Sequence, residues 1–179
     1  GIIGIKIGAL LPQAFTALNT SYFAEVEGGY LLPFVQRLIG ITASFAVGMP
    51  AVSGEDISDP RLPNGRYSYT QTTQQYMLGL TVLAKLPLGR IVPYVGVGPR
   101  LFSVRTPSSG SASDGTSISE TVELSKAAGV GVPVGLDVLL GPGRLFLEGQ
   151  LLYSASSQRS TGPSSFGSIS IAVGYRFVL

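Results

Sequence analysis

The chain of 179 residues contains no cysteine, no histidine and no tryptophan. Without cysteine there is no disulfide and no thiolate metal site. Without histidine the commonest general base and metal ligand is missing. Charge is scarce as well: Asp, Glu, Lys and Arg make up 12% of the residues, about half the ~25% of a soluble domain. The formal net charge of +2 is too small to argue for a nucleic-acid partner. Long apolar runs are also missing. The best of them, Ala127 to Leu140, carries Asp137, Pro133 and three glycines, and is shorter than the ~20 residues a membrane helix needs.

What is present is apolar character without helical runs. Mean hydropathy is +0.38, with 24 Gly and 12 Pro. Alternating strands that show lipid one face give this combination. The segment Ile169 to Leu179 makes the case most clearly. Ile169, Ile171, Val173, Tyr175, Phe177 and Leu179 share one face, and Ser170, Ala172, Gly174, Arg176 and Val178 share the other. Strand side chains have a period of two, and about 9–11 residues cross a bilayer as a tilted strand. Residues 1–179 are expected to form a single domain. Gly1-Ile-Ile-Gly4 already reads as strand, so the expectation is a mature or trimmed chain with its signal peptide removed.

Eight segments carry the period of two: Ile3–Leu11, Tyr22–Leu32, Leu38–Met49, Tyr67–Leu86, Ile91–Arg105, Ser119–Leu140, Leu145–Ala155 and Ser168–Leu179. Their connections alternate in kind. Pro33–Arg37, Pro87–Arg90 and Gly141–Arg144 are tight, whereas the first, third, fifth and seventh connections are longer and mostly polar, as in Pro50 to Arg66 and Pro107 to Ser117. Long loops at one end, tight turns at the other and an even strand number predict an all-β fold. That fold is an eight-stranded antiparallel up-and-down transmembrane β-barrel with both termini periplasmic. Each tight turn is followed by Arg and then Leu or Ile; repeated hairpin chemistry accounts for this, and contact of Arg37, Arg90 and Arg144 with lipid phosphates is compatible with it.

The pattern Pro93-Tyr-Val-Gly-Val-Gly98 and the ending Val173-Gly-Tyr-Arg-Phe177 resemble the small outer-membrane barrels of the OmpA, OmpX and OmpW type, although Leu179 and not an aromatic residue stands last. The resemblance spans the chain. It implies location in the bacterial outer membrane and roles from anchoring and adhesion to passage of small hydrophobic molecules. It also implies contact with outer-membrane lipid or lipopolysaccharide.

Parity assigns the faces. The lipid face would carry Ile3, Ile5, Ile7, Val26, Phe45, Leu78, Val97, Val134 and Leu151, with tyrosines near strand ends as interfacial girdles. The inner face collects Lys6, Glu25, Glu27, Lys85, Arg100, Asp137, Glu148 and Arg176, together with Phe23, Met77, Phe102 and Phe146. An eight-stranded interior is only wide enough for side chains to fill it, and buried charges must pair. The eight are therefore read as an ion-pair network plugging the lumen, in preference to an ion path.

Chemistry finds little foothold. Glu25 and Glu27 could be paired catalytic carboxylates, but neighbouring Lys and Arg make an ion-pair reading stronger. Glu55, Asp56 and Asp59 match no calcium-loop spacing. Gly96-Val-Gly98 and Gly129-Val-Gly131 lie within strands, so no phosphate cradle forms. The chain reads as a non-enzymatic protein with no cofactor and no metal. Tyr67-Ser-Tyr-Thr-Gln-Thr-Thr-Gln-Gln75 is strand-like yet polar on both faces; it reads either as a ribbon protruding from the bilayer or as an extension of the rim. The expected role is a sealed scaffold that displays loops or anchors an envelope protein partner through loops or turns. A narrow channel for small hydrophobic solutes is the alternative, and a soluble lipocalin-type carrier a third reading.

Overall fold

Alternation of apolar and small or polar residues sets the strands, and closing them into a ring removes the open edges of the sheet. A computed structural model describes residues 1–11, 20–49, 51–58, 66–72, 74–112, 117–158, 162–165 and 168–179. For residues 34, 51–58, 66–72, 106–112, 117–123, 155–158 and 162–165 it describes the backbone alone. The strands are β1 (Ile2–Leu11), β2 (Ser21–Leu31), β3 (Ile39–Gly48), β4 (Ala51–Ser58), β5 (Arg66–Thr72), β6 (Gln74–Lys85), β7 (Ile91–Ala112), β8 (Ser117–Leu140), β9 (Gly143–Tyr153), β10 (Ala155–Gln158), β11 (Gly162–Ser165) and β12 (Ser168–Val178).

Eight of them close a barrel in the order β1-β2-β3-β6-β7-β8-β9-β12, every neighbour antiparallel. The ring shuts where β1 meets β12, with Ile2 opposite Val178. There the Gly1 nitrogen donates to the Leu179 carbonyl at 2.8 Å, and the Leu179 N–H donates to the Gly1 carbonyl at 2.9 Å. Both ends of the chain thus lie at the end of the barrel that carries the tight turns. Those turns use a short helical turn at Pro33–Val35 and left-handed Gly89 (φ 72°) and Gly141 (φ 60°).

The structure departs from the sequence reading above the rim. The segment predicted as one strand over Tyr67–Leu86 is two, β5 and β6, and the connection from Pro50 to Arg66 holds β4. β7 runs seven residues past the predicted Arg105, to Ala112. β5 pairs with both β4 and the far end of β7, and β7 stays paired with β8 out to Ser111–Ser117. The result is a four-stranded sheet, β4-β5-β7-β8, standing on one side of the barrel. These stretches are polar on both faces, so no apolar face marked where one strand ends and the next begins; backbone pairing holds them. β10 and β11 form a separate hairpin.

The outward face is apolar from the turn end to a line through Tyr76, Ser103 and Lys126. On β7 it runs from Ile91 through Val95 and Val97 to Leu101, all exposed. About ten steps of ~3.3 Å, tilted by ~40°, give a belt of roughly 25 Å, the height of an outer-membrane barrel's apolar band. Tyr22 and Tyr153 are exposed at one margin, and Tyr30 and Phe177 at the other. Val97 sits near mid-belt, 53% exposed. Val97→Arg should therefore cost about 2–4 kcal/mol of folding free energy in phospholipid vesicles, and Ser103→Arg at the margin no more than about 1. Equal costs in a denaturant titration would mean that the belt does not face hydrocarbon.

Candidate functional site

The inward positions of eight strands converge on an axis too narrow for eight large side chains, so glycine stands opposite the bulky ones. A Cβ on Gly174 would lie 2.5 Å from the ring of Phe146, and one on Gly135 2.5 Å from that of Tyr94. These vacancies let the large polar groups lie across the lumen instead of along it.

Lys6 (β1), Glu25 and Glu27 (β2), Lys85 (β6), Arg100 (β7), Asp137 (β8), Glu148 (β9) and Arg176 (β12) are all buried inside the barrel. Seven of them form one network. Arg176 is its hub. Its Nε donates to Glu27 Oε1 and its Nη2 to Glu27 Oε2 at 3.2 Å, while Nη1 reaches Asp137 Oδ1 at 2.8 Å and Nη2 reaches Glu148 Oε2 at 3.3 Å. Its guanidinium also lies 3.9 Å from the ring centre of Phe146 and 4.6 Å from that of Tyr94, within cation–π range. Lys6 Nζ binds Glu148 Oε1 and, at 3.0 Å, Glu25 Oε1. Lys85 Nζ donates to Asp137 Oδ2 at 2.8 Å.

Two placements differ from the sequence reading. Arg100 forms no ion pair among the described residues. It lies where Pro99, lacking an N–H, interrupts the ladder: pairing of β6 with β7 skips from Gly79–Arg100 to Val82–Val97. Arg100 Nη1 donates to the Leu80 carbonyl at 2.9 Å and the Pro99 carbonyl at 3.0 Å. With its amide turned so that the oxygen faces the guanidinium, as the surrounding donors require, Gln150 accepts from Arg100 Nε at 3.1 Å and Nη2 at 2.7 Å. Arg100 thus satisfies acceptors that the proline leaves open. In its place Arg144, assigned above only to a turn, leans inward to 3.8 Å from Asp137 Oδ2. With it the network holds four cations, Lys6, Lys85, Arg144 and Arg176, against four carboxylates.

Tyr94 is the functional neighbour that the sequence reading passed over. Its hydroxyl donates to Glu148 Oε2 at 2.7 Å. The signal was available: the parity that puts Val95 and Val97 outward puts Tyr94 inward.

Apolar residues close the lumen on both sides of the charges. Toward the loops Leu10, Phe23, Ala46, Met77, Phe102, Leu152 and Ala172 pack together, and toward the turns Ile2, Leu31, Leu83 and Val92 are buried. A cavity of about 20 Å³ beside Phe23, Met77 and Gln150 fits about one water. Each lumen carboxylate has at least one oxygen on a cation, while Glu25 Oε2 is buried with no hydrogen-bond partner among the described residues. Among the described residues no group of three or more Asp or Glu could hold a metal; Glu55, Asp56 and Asp59 lie outside the described side chains.

No protein-family model matches the sequence, and no curated protein sequence matches it. Solved structures do. The Neisserial surface protein A superposes with a TM-score of 0.59 at 13% identity, over 99% of this chain and 96% of that one. A major outer membrane protein from Thermus thermophilus gives 0.51 at 17% identity, over 98% and 99%. Ail, the attachment invasion locus protein of Yersinia pestis, solved with the heparin analogue sucrose octasulfate, gives 0.50 at 14% identity, over 99% of both chains. The fold is that of the small eight-stranded outer-membrane barrels.

Proposed function

From that shared fold and the apolar belt, we propose that the chain is an integral protein of the bacterial outer membrane. Its termini and tight turns face the periplasm and its long loops face outward. The barrel is a sealed, non-enzymatic anchor, and its business is to present the β4-β5-β7-β8 sheet and the loops beside it to an envelope partner. One observation carries this reading: β7 and β8 continue past the belt as paired strands while the lumen beneath them is filled. Binding residues usually sit on loops held by a rigid scaffold.

The test is to replace residues 51–73, 106–123 and 155–167 with tight turns and keep every barrel residue. The shortened chain should still show the heat-dependent shift in gel mobility of a closed barrel and should lose the partners that co-purify with the full chain. Retention of the same partners and the same cellular role by an assembled, shortened barrel would exclude display. The filled lumen supports a sealed barrel over the channel alternative. Stable conductance steps from the pure protein in planar bilayers would reverse that preference.

A further inference from the structure

Of the residues whose side chains are described, all four carboxylates lie inside the barrel, yet two cations point outward at the loop-side margin of the belt. They are Arg105 on β7 and Lys126 on β8, both exposed. Ser103 stands opposite Lys126, and Arg105 opposite Leu124. The two cations are therefore diagonal neighbours on one face, about 7–8 Å apart, and neither has an ion-pair partner among the described residues.

Directly below them the wall is hollow. A groove of about 480 Å³ runs beside Tyr76, Leu78, Leu101, Ser103, Lys126 and Ala128. The register explains it. The row Leu78–Leu101–Ala128 is apolar and ends in a small residue, and the row above it, Tyr76–Ser103–Lys126, turns polar within one step of two residues. Phe45, stacked on Tyr76 with ring centres 6.4 Å apart, walls one side. Hydrocarbon fits the lower part and an anion the upper part, with Arg able to hold a phosphate by two parallel hydrogen bonds.

We propose that this groove binds a phosphate-bearing lipid, its phosphate between Lys126 and Arg105 and one acyl chain along Leu78, Leu101 and Ala128. The proposal rests on the membrane reading above. Charge complementarity selects the occupant: the patch is cationic with no described carboxylate near it, and the groove below is apolar.

Because the chain has no tryptophan, Leu78→Trp places a single fluorophore in the groove of the full-length protein. Folded in nanodiscs, it is titrated with phosphatidylglycerol or phosphatidylcholine carrying brominated acyl chains. Quenching by the anionic lipid is expected at a concentration lower by about fivefold per cation. Adding Arg105→Gln and Lys126→Gln should erase this preference and keep quenching by phosphatidylcholine; Arg37→Gln with Arg90→Gln, at the opposite rim, should leave it. Excess inorganic phosphate should leave the quenching unchanged. Equal quenching by the two lipids before the cations are removed, or a preference that survives their removal, overturns the proposal alone. Displacement by free phosphate would make this a site for soluble anions and also overturn it. Absence of quenching by either lipid in a folded barrel would overturn the membrane reading with it.

Discussion

Arg176→Ala is expected to lower the unfolding free energy by about 3–5 kcal/mol. The side chain is 1% exposed and binds Glu27, Asp137 and Glu148 from three different strands. Truncation leaves those three carboxylates close together without their shared cation. It also removes the planar group lying between Phe146 and Tyr94. The cost comes from what is left unpaired, so Glu27→Gln on the same background should return part of it. Arg176→Lys keeps the charge but not the two-pronged contact with Glu27, and should fall between the two. Denaturant titration in phospholipid vesicles, followed by loss of the compact gel species, measures all three. An alanine variant within about 1 kcal/mol of the parent would mean that the network contributes no more than surface pairs do.

Gly98→Ala should also be damaging, at about 1–3 kcal/mol, although it adds one methyl group. A Cβ there would lie 1.9 Å from the Leu80 carbonyl oxygen on β6. That oxygen is the one Arg100 binds at 2.9 Å. The methyl group must push β6 and β7 apart where Pro99 already interrupts their ladder. Gly28→Ala is the matched control: a Cβ at Gly28 meets nothing within 4 Å, and alanine there should be within about 0.5 kcal/mol of the parent. Equal stabilities for the two variants would show that the β6–β7 seam yields freely.

The barrel was legible because burial repeats every two residues on each stave. Val26 and Glu25, or Val97 and Arg100, cannot exchange faces without moving a whole strand. The polar strands β4, β10 and β11 carried no such signal, and β5, read as strand, carried none that would separate it from β6. Ser, Thr, Gly and Gln are indifferent to which side they face, so only pairing partners brought by the fold define them. Within the lumen, parity gives the face but not the height. Arg100 and Arg144 show the difference. By alternation Arg100 joins the charged set, yet the register puts it beside a proline gap and Gln150. Arg144 opens β9 opposite Arg176, at the level of Asp137, although its place after a turn reads as rim. The glycines that make room for Tyr94 and Phe146 are legible only once cross-strand partners are known, since Gly135 faces Tyr94 and Gly174 faces Phe146 in register.

Closure through β1 and β12 has a consequence for the order of events during assembly. Lys6 and Arg176 stand on the two strands that meet last if the sheet grows by adding neighbours along the chain. Until they meet, the two pairs that bridge the seam, Lys6 with Glu148 and Arg176 with Glu27, cannot form. Lys6 with Glu25, Lys85 with Asp137 and Arg176 with Glu148, by contrast, join strands on one side of it; of the four carboxylates Glu27 alone waits for closure to meet its cation. Once the seam zips, pairing of Glu27 with Arg176 and loss of the last open edge coincide. The seam thus ties the meeting of the chain's distant ends to the completion of the lumen network.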